Sequence, residues 1–256
     1  MPATDLDLLV QATRDAGDIA RGFFGADPTV WDKPDDAGPV TEADLAVDTH
    51  LKSVFLNARP DYGWLSEETE DTDHRLGTER QFILDPIDGT RAFINGNEDW
   101  GVSVAVAERG QITAAVVYMP AKDMMFAAAK GQGATLNGTP MAVQTPASPA
   151  KVLTHKVTFD HHNWKDGQTP NIERHFRSSL AYRLCLVAMG RFDGMITLRP
   201  SWEWDIAAGT LIVNEAGGKV SDRTGQPLVY NNPHPKQNGV VAGHDDLHSE
   251  ILRHLA

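Results

Sequence analysis

The hydrophobic pattern predicts helices and strands in alternation. Leu6, Leu9, Val10, Thr13, Ala16, Ala20 and Phe23 recur at helical spacing, so 4–25 reads as a helix that Thr4 can cap at its start and Gly25 at its end. The segment 27–40 is rich in Pro, Gly and Asp and reads as a polar loop or hairpin. A second amphipathic helix opens with Thr41 as N-cap and runs through TEADLAVDTHLKSVFLNA. YGWLSEE and QFILDP read as short strands. WGVSVAVAERGQITAAVVYMP reads as two strands joined at ERGQ, MMFAAAKG continues the meander, and Asn137-Gly138 marks a tight hairpin. Residues 1–145 are therefore expected to form helices packed on an antiparallel sheet.

QTPASPA (144–150) reads as a boundary. After it come a strand (KVLTHKVTF), a loop (DHHNWKDGQTPN), a helix (AYRLCLVAMG), a strand (DGMITLR), a helix (WDIAAGTLIVNEAGG) and a strand (KVSD). That alternation predicts a smaller α/β half over 150–256, joined to the first half as one unit. In the loop, His161 and His162 read as solvated, and Trp164 is a hint of a surface for a planar base.

Composition narrows the function classes. The formal charge of −12 lacks the footprint of a nucleic-acid binder, so no nucleic-acid polymer is expected as partner. A phosphorylated ligand would need local cations. The single cysteine, Cys185, lies in an apolar run and reads as a buried small hydrophobe, which fits a reducing compartment. MPATDLDLLV lacks the pattern of a signal peptide, and no apolar run is long enough to span a bilayer. The expectation is a cytoplasmic protein without a membrane partner.

The candidate chemistry is acidic. In LDPIDGTRAF, an apolar strand delivers Asp85 and Asp88 to one end of a sheet, and Gly89 and Thr90 stand at a helix start where an anion could dock. Turn chemistry alone also accounts for this pair. Glu67 and Glu68 end another strand, where a solvated charge pair is the plain reading. Asp205 precedes an apolar helical run and reads as its N-cap. Asp44 lies three residues after Thr41, close to a capping box. Taken together, these acids have no His or Cys beside them. Oxygen-only ligand sets select hard cations, Mg²⁺ or Mn²⁺ rather than zinc.

WLSEET, LDPIDGTRAFI and WDIAAGTLIVNEAGG, with KPDDAGPVTEADLAVD upstream, resemble the inositol monophosphatase family of metal-dependent, lithium-sensitive phosphatases. The resemblance implies a mixed α+β or α/β fold, the layered αβαβα sandwich. It implies Glu67, Asp85, the Ile87 carbonyl, Asp88 and Asp205 as ligands of two or three Mg²⁺ ions. Asp44 and Thr90 would orient the attacking water, and Glu68 would shape the surrounding network. The Gly89 and Thr90 N–H groups would hold phosphate, with Lys33 as a basic residue near the site. Direct hydrolysis of a small phosphate ester follows. Homodimers are an expectation from the resemblance alone.

For the ester, YRLCLVAMG is similar to the bacterial 3′(2′),5′-bisphosphate nucleotidase branch, which acts on 3′-phosphoadenosine 5′-phosphate. Arg183 and Arg199 could meet a second phosphate, although both also read as surface arginines. Leu198 stands where the inositol branch often has a glutamate. Ser178 and Ser179 sit slightly displaced from the nucleotidase branch's Gly-Ser-Ser. Inositol monophosphatase is the alternative reading. A sugar bisphosphatase and a catalytically silent interaction protein are more distant ones.

Overall fold

A computed structural model describes residues 4–34 and 38–256. Two helices open the chain, α1 (Asp5–Phe23) and α2 (Glu42–Ala58). Thr4 forms a capping box with Asp7, and Gly25, just past α1, takes φ 76°, a left-handed value that spares glycine a Cβ penalty. Between the helices, Val30–Asp32 pairs antiparallel with Pro39–Thr41, so the polar segment is a hairpin; its Asp35 and Asp36 lie outside the described residues.

A seven-stranded sheet follows, in the order Gly63–Ser66, Arg80–Asp88, Gly101–Glu108, Gln111–Met119, Met124–Ala129, Ala134–Leu136, Thr139–Met141. Five of its neighbouring pairs are antiparallel, as expected, and the Asn137-Gly138 hairpin is in place. The first pair departs from the expectation: Gly63–Ser66 runs parallel to Arg80–Asp88. Two-residue alternation sorts the side chains between faces. Phe82, Leu84, Val102, Val104 and Val106 face Leu9, Ala16, Val47, Leu51 and Phe55 of α1 and α2. Ile83, Ala105, Ala107, Ala115 and Val117 face the opposite way.

The short helix α3 (Thr90–Ile94) follows the second strand of this sheet. On the Ile83 face lie α4 (Leu180–Ala188) and α5 (Glu203–Glu215). A Cβ on Gly209 of α5 would stand 2.5 Å from Leu184 Cδ1 of α4, so their close crossing requires glycine there. A five-stranded sheet covers these helices in the order Ile172–His175, Ala150–Thr154, Gly194–Thr197, Val240–Gly243, Lys219–Ser221. Leu153, Met195, Val240 and Ala242 pack inward, while Val152, Ile196 and Val241 meet Leu247 and Ile251 of α6 (Asp245–His254). The layers run αβαβα.

Several expectations change here. The strand read over KVLTHKVTF ends at Thr154 and gives way to a 3-10 turn at Lys156–Phe159. Ile172–His175, to which the sequence pattern assigns no element, is an edge strand. Trp164 is buried and donates its indole N–H to the Thr158 carbonyl at 2.7 Å, so it offers no face to a base. His161 and His162 are exposed and Cys185 is buried, both as expected. Among the described residues, no helix is long and apolar enough to cross a membrane.

Candidate active site

The acids converge because strand ends and helix starts meet at one edge. Parallel pairing sets Ser66 against Leu84 in register. Glu67, one residue on, donates its backbone N–H to the Leu84 carbonyl at 3.3 Å, so its side chain emerges beside Asp85. Asp85 pairs with Ser103 but Asp88 with Gly101, so the Asp85–Asp88 stretch holds one residue more than its partner. The bulge takes in Pro86, which has no N–H to give the ladder, and Ile87. It keeps both aspartates buried at the same edge, and Ile87 N–H bonds Asp85 Oδ1 at 2.9 Å.

Asp205 arrives from α5. Trp202 occupies the N-cap position, so Asp205 lies inside the first turn and is not the cap that its place before an apolar run suggests. Its carboxylate is free for the cluster: oxygens of Glu67, Asp85 and Asp205 lie within 4.8 Å of one another. Asp88 is anchored from α4, accepting from the Ser179 hydroxyl at 2.7 Å and from the Leu180 and Ala181 N–H groups at 3.3 and 2.6 Å. Asp44 is the third residue of α2, and its Oδ2 completes a capping box with Thr41 at 2.8 and 2.5 Å. Its Oδ1 stands 3.4 Å from the Thr90 hydroxyl, whose single proton also has the Ile87 carbonyl at 3.1 Å as acceptor.

A cavity of about 290 Å³ opens over this edge, lined by Glu67, Asp85, Asp88, Gly89, Thr90, Ser179, Arg183, Arg199 and Asp205 among others. Gly89 has φ 101°, and a Cβ there would come within 2.9 Å of the Asp99 carbonyl, so no side chain fits. Arg183 is buried, contrary to a surface reading; its Nε donates to the Arg177 carbonyl and its guanidinium stacks 4.5 Å over Phe176. Burial pulls its pKa down to about 10. Arg199 is exposed on the cavity wall. The site thus gathers all the acids read from the sequence, with Lys33 beside them: its ammonium lies 2.7 Å from Glu67 Oε1 and 2.6 Å from Glu68 Oε1.

The electrostatics call for a cation. Burial, then repulsion from Glu67, Asp88 and Asp205, holds the Asp85 carboxyl well above its usual range. Burial, then Asp88 and Glu67, does the same to Asp205. Burial pushes Asp88 up to about 6 against the hydrogen bonds from Ser179 and Ala181, and Asp44 up to about 6 against its bonds to Thr41. Glu68 rises to about 7 through burial, despite Lys33. Crowded, desolvated carboxylates are costly unless a positive charge joins them. The donors are oxygen throughout, with no His or Cys, so the set fits a hard divalent ion such as Mg²⁺.

Two contributors escaped the sequence reading. Ser179 grips Asp88 through its hydroxyl, and Asp48, buried on α2, accepts from Ser66 and Thr69 on either side of the Glu67-Glu68 pair. The signal for Asp48 was available: it sits one helical turn after Asp44, on the same inward face.

A family model described as "Inositol monophosphatase family" matches residues 2–256. An inositol-1-monophosphatase of Rhizobium meliloti is 35% identical over 269 residues, covering 98% of this chain and 95% of its own. Nus factor SuhB of Escherichia coli K12 is 35% identical over 237 residues, covering 86% and 85%. The crystal structure of the extragenic suppressor protein suhB from Bartonella henselae superposes with a TM-score of 0.82 at 28% identity, covering 96% of each chain. With its acids, its layers and its whole length in agreement, the chain belongs to the inositol monophosphatase family and is a metal-dependent phosphatase.

Proposed function

We propose that this protein hydrolyses a phosphate monoester carrying a second anionic group, a 3′(2′),5′-bisphosphate nucleotide such as 3′-phosphoadenosine 5′-phosphate. The observation that carries the substrate reading is the pair of guanidiniums, Arg183 and Arg199, on the wall of the carboxylate cavity. Arginine forks match phosphate oxygens in geometry as well as charge. In a chain of net charge −12, two of them on one wall of an acidic cavity mark the side from which a substrate with a second anion is received.

Glu67, Asp85, the Ile87 carbonyl, Asp88 and Asp205 would hold two or three Mg²⁺ ions, with Mn²⁺ an acceptable substitute. Such ions, when bound, polarise phosphoryl oxygens, ease deprotonation of water and stabilise the leaving alkoxide. The chain's own residues do the positioning. Gly89 and Thr90 N–H groups at the start of α3 take phosphate oxygens. The Thr90 hydroxyl, fixed by Asp44 and the Ile87 carbonyl, orients the water that attacks in line. Asp44 relays charge to that hydroxyl from a buried position. Lys33, itself paired with Glu68, holds Glu67 in place.

Inositol monophosphate is the second reading. It is favoured by the identity with the Rhizobium meliloti inositol-1-monophosphatase across nearly the whole chain. Phosphate release from 3′-phosphoadenosine 5′-phosphate and from inositol 1-phosphate, at matched concentrations with Mg²⁺, separates the two. The expected result is a preference for the nucleotide that EDTA abolishes. Preference for inositol phosphate would move the assignment to the second reading, and chelator-insensitive turnover would overturn the metal assignment.

A further inference from the structure

A second cavity, about 190 Å³, adjoins the first, and Arg199 lines both. Its other ionisable walls are Arg223, His155, His162 and Asp160, and Thr158, Asn163 and Thr197 add neutral polar groups. Two guanidiniums and two imidazoles thus surround a space with one carboxylate, in a strongly acidic chain. Arg223 spends one donor on the Leu198 carbonyl at 3.3 Å; a guanidinium has five. Leu198 lines the same space and offers no polar side-chain atom to sugar hydroxyls.

Phe176 stands between the two cavities. It is 43% exposed; its ring is 4.5 Å from the Arg183 guanidinium of the first cavity and 5.9 Å from the His155 ring of the second. A large exposed aromatic flanked by a guanidinium and an imidazole is the surface a nucleobase stacks on. Carboxylate cluster, aromatic face and basic pocket therefore follow one another, bridged by Arg199.

We propose that the Arg199–Arg223 cavity is the subsite for the second, non-reacting phosphate of a nucleoside bisphosphate, with Phe176 as the contact face for its base. The inference rests on the phosphatase reading of the carboxylate site, since it concerns how the same substrate is held. It makes Arg223 and Phe176 specificity residues remote from the reacting phosphorus, where uniform binding energy lowers KM.

Binding and turnover test it separately. In EDTA the unneutralised acids repel phosphate from the first cavity, so the 5′-phosphate of AMP reports on the second. Calorimetry should show AMP binding at least tenfold more tightly than adenosine, and Arg223→Gln should erase that difference. Phe176→Leu should weaken AMP at least threefold without weakening ribose 5-phosphate. With Mg²⁺, Arg223→Gln should lower the ratio of kcat/KM for 3′-phosphoadenosine 5′-phosphate over inositol 1-phosphate at least tenfold, through KM. A merely structural Arg223 would lower both rates together and leave the ratio intact, which would overturn the proposal. Equal binding of AMP and adenosine to the unaltered protein would also overturn it. Absence of turnover on every ester, with AMP binding and its loss in Arg223→Gln intact, would instead refute the phosphatase reading and leave the anion subsite standing.

Discussion

Ser179 gives its hydroxyl proton to Asp88 Oδ2 at 2.7 Å while accepting the Tyr182 N–H at 2.9 Å, so one side chain caps α4 and fixes a cluster carboxylate 91 positions away. It does this at φ 61°, a backbone value that costs a non-glycine residue about 1 kcal/mol or more. Glycine would relieve that strain, but it has no hydroxyl. Ser179→Ala should lose both contacts and lower unfolding stability by about 2 kcal/mol, combining a cap with a hydrogen bond to a charged acceptor. Urea melts would show it; a loss under about 0.5 kcal/mol would mean that Leu180 and Ala181 hold Asp88 unaided.

The carboxylate cluster should make the protein's stability depend on divalent ions. At an ion concentration one hundred times Kd, binding adds about 2.7 kcal/mol. For a chain of this size that is a rise in Tm of roughly 5–10 °C. Asp88→Asn removes one repelling charge while keeping an acceptor for Ser179 and Ala181. The variant should melt at or above the metal-free parent, respond little to Mg²⁺, and release no phosphate. Near-normal turnover by Asp88→Asn would refute its place among the ligands.

Lys33 joins Glu67 and Glu68 from the two-stranded hairpin that precedes α2. Its side chain keeps 15% exposure, so the pair is worth less than a fully buried one. Lys33→Met should cost the metal-free protein about 1–2 kcal/mol, and saturating Mg²⁺ should close much of that gap by supplying the missing positive charge. Paired melts with EDTA and with Mg²⁺ test this. An equal loss in both would show that Lys33 serves packing and not charge.

His248, on α6, bonds Ser221 at 2.8 Å, and burial, with Lys219 close by, holds its pKa below the ordinary 6.5. Below that value the unfolded chain binds a proton that the folded chain refuses, so this residue's contribution is full at higher pH and is lost as pH falls through 6.5 and below. The difference in Tm between the parent and His248→Gln, in saturating Mg²⁺, should therefore shrink on going from neutral to mildly acid solution. A constant difference would show that His248 titrates alike in both states.

Much of this architecture was legible in short-range pattern. The helix caps at Thr4 and Thr41, the meander over 101–129 and the Asn137-Gly138 hairpin are local signals with local physics. What pattern missed depends on distant partners. Ile172–His175 is a polar edge strand whose pairing comes from Ala150–Thr154. The parallel pairing of Gly63–Ser66 leaves no turn signal, because the connection is long. Trp164 sits in a loop of polar residues, and its burial is decided by Leu247, Ile251 and Leu255 near the far end of the chain. The clustered acids were legible as a set of motifs, but the grip of Ser179 on Asp88 was not, since nothing local distinguishes that serine from Ser178.

The five layers have a further consequence. Glu67, Asp85 and Asp88 come from the seven-stranded sheet, whereas Asp205 and the residue that steadies Asp88 come from the helices sandwiched between the two sheets. Ion binding at this cluster would then depend on correct assembly: a sheet docked one register out would still show native secondary structure to circular dichroism, yet would miss the fourth carboxylate. Ion affinity, followed during refolding, would time the moment at which the layers close.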